Sequence, residues 1–212
     1  MSLEREWWLR TLAVFVRPRL VFRALRTDDE EDMEARQEPV LLVILLAGIA
    51  AVLLTPAWGS VYDRALEGGT QLDGLAIALL TFVTGCLTGV FGYFLVGGAL
   101  CLGARGMGSF AGWRQARHVV AFACVPLAAS VPVLLPVGVA IFGKDRFREG
   151  GSDSGAGGTI FLATQLVFLV WSLALLVDGV RVTYEWSWSR AAAALGLFAV
   201  ILALLLVLFT VL

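Results

Sequence analysis

The sequence predicts an all-α integral membrane protein: five transmembrane helices in one bundle, preceded by short amphipathic interfacial helices. Composition is the first of three observations behind this. A chain of 212 residues that is 59% hydrophobic and 16% charged, with mean hydropathy +0.85, has too little polar surface to cover a water-soluble globule. The second is segregation, because the charges gather before residue 40 and in short loops while the runs between are nearly bare. The third is length: five apolar runs each reach the roughly 20 residues a helix needs to cross about 30 Å of hydrocarbon.

Residues 3 to 26 are amphipathic rather than a signal peptide, since Glu4, Arg5, Glu6 and Arg10 interrupt any hydrophobic core. At helical spacing Trp8, Leu12 and Phe15 share one face, and Glu6, Arg10 and Arg17 share another. Pro18 suits a first helical turn, and after it Arg19, Arg23 and Arg26 align opposite Leu20, Val21, Ala24 and Leu25. Two short helices on a membrane surface would explain the pattern, with arginines toward anionic lipid and Trp7 and Trp8 at headgroup depth. Packing on a partner or on the protein's own loops is the alternative. Asp28 to Glu34 is a block of like charge that reads as a solvated acidic linker, without the glycine and ligand spacing of a calcium loop. Residues 1–38 are thus expected as a cytoplasmic segment and 39–212 as the membrane domain.

The expected spans are 39–58, 75–102, 119–142, 159–182 and 191–212. Orientation follows from Lys and Arg in the segments between them. The amino-terminal region, the loop after span two and the loop after span four carry twelve, against four at Arg64, Lys144, Arg146 and Arg148. This places the amino terminus and the segment from Arg105 to His118 in the cytoplasm, and the carboxyl terminus outside. Gly150 to Gly158 reads as a flexible external connector. Of the 16 basic residues only Lys144 is lysine, a bias that points to a GC-rich bacterial genome and hence to its cytoplasmic membrane.

Span two is rich in glycine, with Gly85 and Gly89 spaced to let helix backbones approach closely. Packing within the chain is expected over a homo-oligomer. Span three contains Pro126, Pro132 and Pro136, each of which removes a backbone donor and should kink the helix, either as a static bend packed on span two or as a hinge lining a cavity. Asp178 is the one acid well inside an apolar run, and Arg181 at i+3 lies on its face, which favours an interfacial pair over a proton relay. Gln165 is about 20 Å from Asp178 along the helix, so the two form no compact site.

No reaction centre emerges. The three cysteines fall in apolar runs and the single histidine, His118, lies in a basic loop, so no metal, cofactor or catalytic triad is expected. Five spans with an uncharged mid-depth do not resemble a repeated transporter. The reading is a non-enzymatic scaffold or adaptor that contacts anionic lipid or a partner protein, not nucleic acid, through a basic cytoplasmic face including Arg105, Arg114 and Arg117. A small-solute permease or accessory transporter subunit is the alternative.

With the spans placed, Arg17-Pro18-Arg19 and Phe22, then Gly106, Gly108, Ser109 and Phe110 leading through Ala116 and Val120 to Val125-Pro126, and then Trp171, Gly179 and Ser187 to Ala192, resemble the Yip family. Its eukaryotic members interact with Rab GTPases, and the likeness is to its bacterial branch. The resemblance implies a five-helix bundle with a cytosolic amino terminus and a non-catalytic organising role in membranes. Glu31 to Val40 lacks the acidic-aromatic-glycine-proline motif of the eukaryotic members, so Rab binding is not implied.

Overall fold

The computed structural model describes residues 3–27, 38–53, 74–110, 112–143 and 155–211. The acidic segment Asp28 to Glu34, residues 54–58 of the first expected span, the loops carrying Arg64 and Lys144 to Arg148, and much of the glycine-rich connector lie outside them. The described residues form helices without any strand: α1 Leu3–Val16, α2 Pro18–Thr27, α3 Glu38–Leu53, α4 Gly74–Gly106, α5 Trp113–Ala123, α6 Val125–Phe142, α7 Ala156–Thr183 and α8 Trp188–Val211.

Four segments are long and apolar enough to cross a membrane: Ala78–Gly106, Trp113–Phe142, Ala156–Thr183 and Trp188–Leu205. The described part of the first apolar helix, α3, is shorter at 16 residues. Outward positions such as Leu79, Phe82, Leu87, Phe91, Val167 and Leu204 are exposed and apolar. So much apolar surface is tolerated where lipid is the solvent.

One boundary differs from the expected ones. Within the segment from Arg105 to His118 the loop is confined to the stretch between Gly106 and Trp113: α4 runs on through Arg105, and α5 begins at Trp113, so Arg114, Arg117 and His118 ride on a helix. The expected third span lies within the single apolar segment Trp113–Phe142, with a one-residue turn at Cys124 between α5 and α6, where the Cys124 N–H donates to the carbonyls of Val120 at 3.0 Å and Ala121 at 3.1 Å. Pro126 therefore falls in the first turn of α6, where a missing donor costs nothing, and Pro132 and Pro136 lie inside the helix.

By packing, the chain forms two compact units. The first comprises Met1–Val43, Phe91–Val125 and Ser172–Leu212. Its core is α5, where Ala116 and every residue from His118 to Ala123 is buried. Gly97 and Gly98 of α4 face Arg117 and Trp113 of α5, and a Cβ on Gly103 would stand 2.9 Å from the Ala194 carbonyl oxygen of α8.

The second unit comprises Ile44–Val90 and Pro126–Trp171. Here the glycines at 85 and 89 meet α3. A Cβ on Gly48 would lie 2.5 Å from Gly89 Cα, and one on Gly85 would lie 2.6 Å from Ile49 Cα. Three small residues thus bring two backbones into contact, giving the dispersion contacts that hold helices together in lipid. Buried Gln165 of α7 donates from Nε2 to the Ala50 carbonyl of α3 at 3.0 Å, which satisfies the amide without any second polar side chain.

The described part of the second unit, residues 44–53, 74–90, 126–143 and 155–171, has no Asp, Glu, Lys or Arg, and the charged residues of that unit, among them Arg64 and Lys144 to Arg148, lie outside the described residues.

Candidate functional site

Helix α2 has a sharply two-sided sequence, and Val21, Phe22 and Leu25 on its apolar side are buried. They are buried by the protein itself, which decides between the two readings of this amphipathic face. Phe22 is fully buried, and its ring lies over Gly179 of α7 so closely that a Cβ there would meet Cε1 at 2.8 Å. Side chains from two helices then reach the α2 backbone. Gln115 Nε2 of α5 donates to the Leu25 carbonyl at 3.3 Å, and Thr183 Oγ1 of α7 donates to the Phe22 carbonyl at 3.3 Å. On α1, Val14 is buried while Trp8, Leu9, Leu12 and Val16 remain exposed along one side.

Docking the apolar side of α2 turns its arginines toward the carboxyl end of α7. Arg19 Nε donates to Asp178 Oδ2 at 3.2 Å, and Arg26 pairs with Glu185. Arg181 Nη1 stands 3.7 Å from Asp178 Oδ1, and its guanidinium lies 4.5 Å from the Trp188 ring centroid. Asp178 therefore serves two arginines, the expected one at i+3 and another 159 positions away. Arg19, Arg23, Arg26, Arg181, Val182, Glu185 and Trp186 line a cleft of about 570 Å³.

The chain turn beside this cleft is built unusually. At the end of α7, Trp186 N–H donates to the Arg181 carbonyl at 3.0 Å, closing a six-residue ring around Glu185, whose φ is +54°. Glycine normally fills that left-handed position. The end of α4 makes the same closure, with Ser109 N–H on the Ala104 carbonyl at 3.1 Å and Gly108 at φ +79°. Glu185 holds the strained position as the partner of Arg26. Burial of the neighbouring Tyr184 pushes its hydroxyl well above the ordinary tyrosine range, with a smaller contribution from Cys101.

The other basic residues sit on the same unit with different surroundings. Arg105 is exposed, 5.6 Å from the Trp113 ring centroid. Arg114 is partly exposed. Arg117 packs between rings, 5.3 Å from Tyr93 and 4.9 Å from Phe94. His118 is buried, with Nδ1 2.9 Å from the Arg114 carbonyl. Arg190 donates from Nη2 to the Met107 carbonyl at 2.5 Å and stacks 5.0 Å from Trp186. Ser187 Oγ caps α8 by accepting from Arg190 N–H at 3.4 Å.

The residues singled out in the sequence thus separate. Arg105, Arg114, Arg117, His118, Asp178 and Arg181 belong to the first unit, whereas Gly85, Gly89, Pro126, Pro132, Pro136 and half-exposed Trp171 belong to the second. Arg23 and Arg26, expected on the lipid-facing side of α2, line the cleft together with Glu185, which the sequence did not single out because its partner Arg26 is 159 positions away. Several residues behind the family likeness acquire physical roles: Phe22 fills the hollow at Gly179, Gly108 turns the chain out of α4, and Ser187 starts α8. No curated protein and no solved structure matches the chain. A family model described as the Yip1 domain matches residues 12–211, and on that match, nearly end to end, the chain belongs to the Yip1 domain family.

Proposed function

We propose that the protein is a non-enzymatic scaffold or adaptor of the cytoplasmic membrane, which contacts anionic lipid or a protein partner through the basic face of its first unit. What supports this is the count of basic residues in the segments between the spans, twelve on the side of the amino terminus against four at Arg64, Lys144, Arg146 and Arg148. In a chain of spanning helices, arginine gathered in this way marks the side retained in the cytoplasm. The exposed stripe of Trp8, Leu12 and Val16 on α1 suits headgroup depth, where an aromatic and apolar face can enter lipid while neighbouring arginines remain in water.

The test reverses two charges, exposed Arg105 and partly exposed Arg114. Arg105→Glu with Arg114→Glu is expected to leave the protein inserted and folded while removing most of whatever lipid or protein is retained when native membranes are solubilised and the chain is purified. Unchanged retention of every companion would refute the reading.

A further inference from the structure

We infer that the cleft between α2 and the carboxyl end of α7 binds the phosphate of an anionic phospholipid. This rests on the basic-face reading above and assigns it a place.

Four arginines and one glutamate line the cleft, and Asp178 pairs with two of those arginines from beside it. Counting Asp178, the four guanidinium groups exceed the acids by two. The excess has a location. Arg19 is held by Asp178, Arg26 by Glu185, and Arg181 by Asp178 and the Trp188 ring. Arg23, exposed between Arg19 and Arg26 on the same side of α2, makes no hydrogen bond or ion pair with a described residue. The two acids fix the flanking guanidinium groups in place without neutralising the centre. Arginine held in this manner presents its donor fork to a phosphate with little ordering left to do.

Three features make the phosphate that of a lipid. Arg181 and Val182 are in the last turn of a membrane-length helix, so the cleft opens where hydrocarbon gives way to headgroups. Trp186 lines it, and Trp188, half-exposed at 57%, begins the next spanning helix; tryptophan at such a boundary is typical of the interface. The lining also mixes apolar Val182 and Trp186 with the charges, which suits a headgroup with attached glycerol better than a free hydrated anion.

The experiment uses the full chain in neutral detergent micelles, titrated with phosphatidylglycerol, phosphatidylcholine or inorganic phosphate while melting is followed by tryptophan fluorescence. A ligand bound only to the folded state raises the midpoint. Phosphatidylglycerol is expected to raise it, with phosphatidylcholine and inorganic phosphate without effect. Arg23→Gln should require at least about tenfold more phosphatidylglycerol for half the effect, the size of one charge-assisted hydrogen bond. Arg23→Lys should fall between the two, and Arg105→Gln, outside the cleft, should stay within about twofold of the parent. An unchanged response in Arg23→Gln would overturn the assignment, as would protection by inorganic phosphate equal to that by the lipid. Equal losses in Arg23→Gln and Arg105→Gln would remove the cleft while leaving the basic-face function standing. Absence of any phosphatidylglycerol response in the parent would remove the cleft, and retention of a protein partner would then decide the broader reading separately. Arg23 touches nothing that holds the fold, so melting without lipid should match the parent.

Discussion

If the arginine face depends on α2 being docked, removing the ring that docks it should release the helix. Phe22→Ala deletes a fully buried ring lying over Gly179, and such truncations cost about 3–5 kcal/mol. At 1.4 kcal/mol per decade, an α2 that opens locally should spend roughly two to three and a half orders of magnitude longer undocked. Arg19, Arg23 and Arg26 make the opened helix a trypsin substrate, so the assay is the rate of cleavage within α2 in detergent. Gly179→Ala gives the converse. Its Cβ would stand 2.8 Å from Phe22 Cε1, so the ring must move by about 0.6 Å, an overpacking cost of about 1–3 kcal/mol set against about 1 kcal/mol gained by replacing glycine within a helix. In the Phe22→Ala background the same substitution should become neutral or favourable, because the new methyl then enters a void. Cleavage of Phe22→Ala at the parental rate, or purely additive effects of the two substitutions, would refute the docking account.

Two further outcomes follow from the packing and the buried hydroxyl. Gly48→Ala should weaken the helix pair in the second unit by about 1–2 kcal/mol net, since its Cβ would lie 2.5 Å from Gly89 Cα; Gly92→Ala, with nothing within 4 Å of its Cβ, should be tolerated, and thermal aggregation in detergent separates the two. Tyr184 has its hydroxyl buried without a hydrogen-bond partner among the described residues, and burial raises its pKa in the fold. A folded-state pKa above the unfolded one gives stability that is complete below about pH 10 and declines as the solution becomes more alkaline. Tyr184→Phe should therefore change melting little at neutral pH and delay alkaline unfolding, which melting curves across the alkaline range will show.

The spanning helices were legible because lipid imposes a composition and a length that few other structures share. Gly85 and Gly89 announced a close backbone contact, and the i+3 spacing of Asp178 and Arg181 announced their pairing, because both signals are local. What the sequence left open were partners across distance. Two-sided α2 had to bury Val21, Phe22 and Leu25 somewhere, and periodicity does not distinguish lipid from the protein's own Gly179. The second partner of Asp178 is Arg19, 159 positions away, and no spacing rule reaches it. Residues 105 to 118 read as a loop because charge outweighs helix propensity in such a judgement, yet Arg117 lies on rings and His118 is enclosed. The turn at Cys124 lies two residues before Pro126, which begins a helix more readily than it bends one.

The central claim is that α2 and the segment from Arg105 to His118 face the cytoplasm. It is tested most directly by labelling single cysteines placed at Arg23 and Phe110, both exposed, with a membrane-impermeant maleimide after Cys86, Cys101 and Cys124 have been replaced by alanine. Both positions should react in inside-out vesicles and remain unlabelled in right-side-out ones. Reaction of either position from the outer face of sealed right-side-out vesicles would contradict the orientation, and with it the basic-face function.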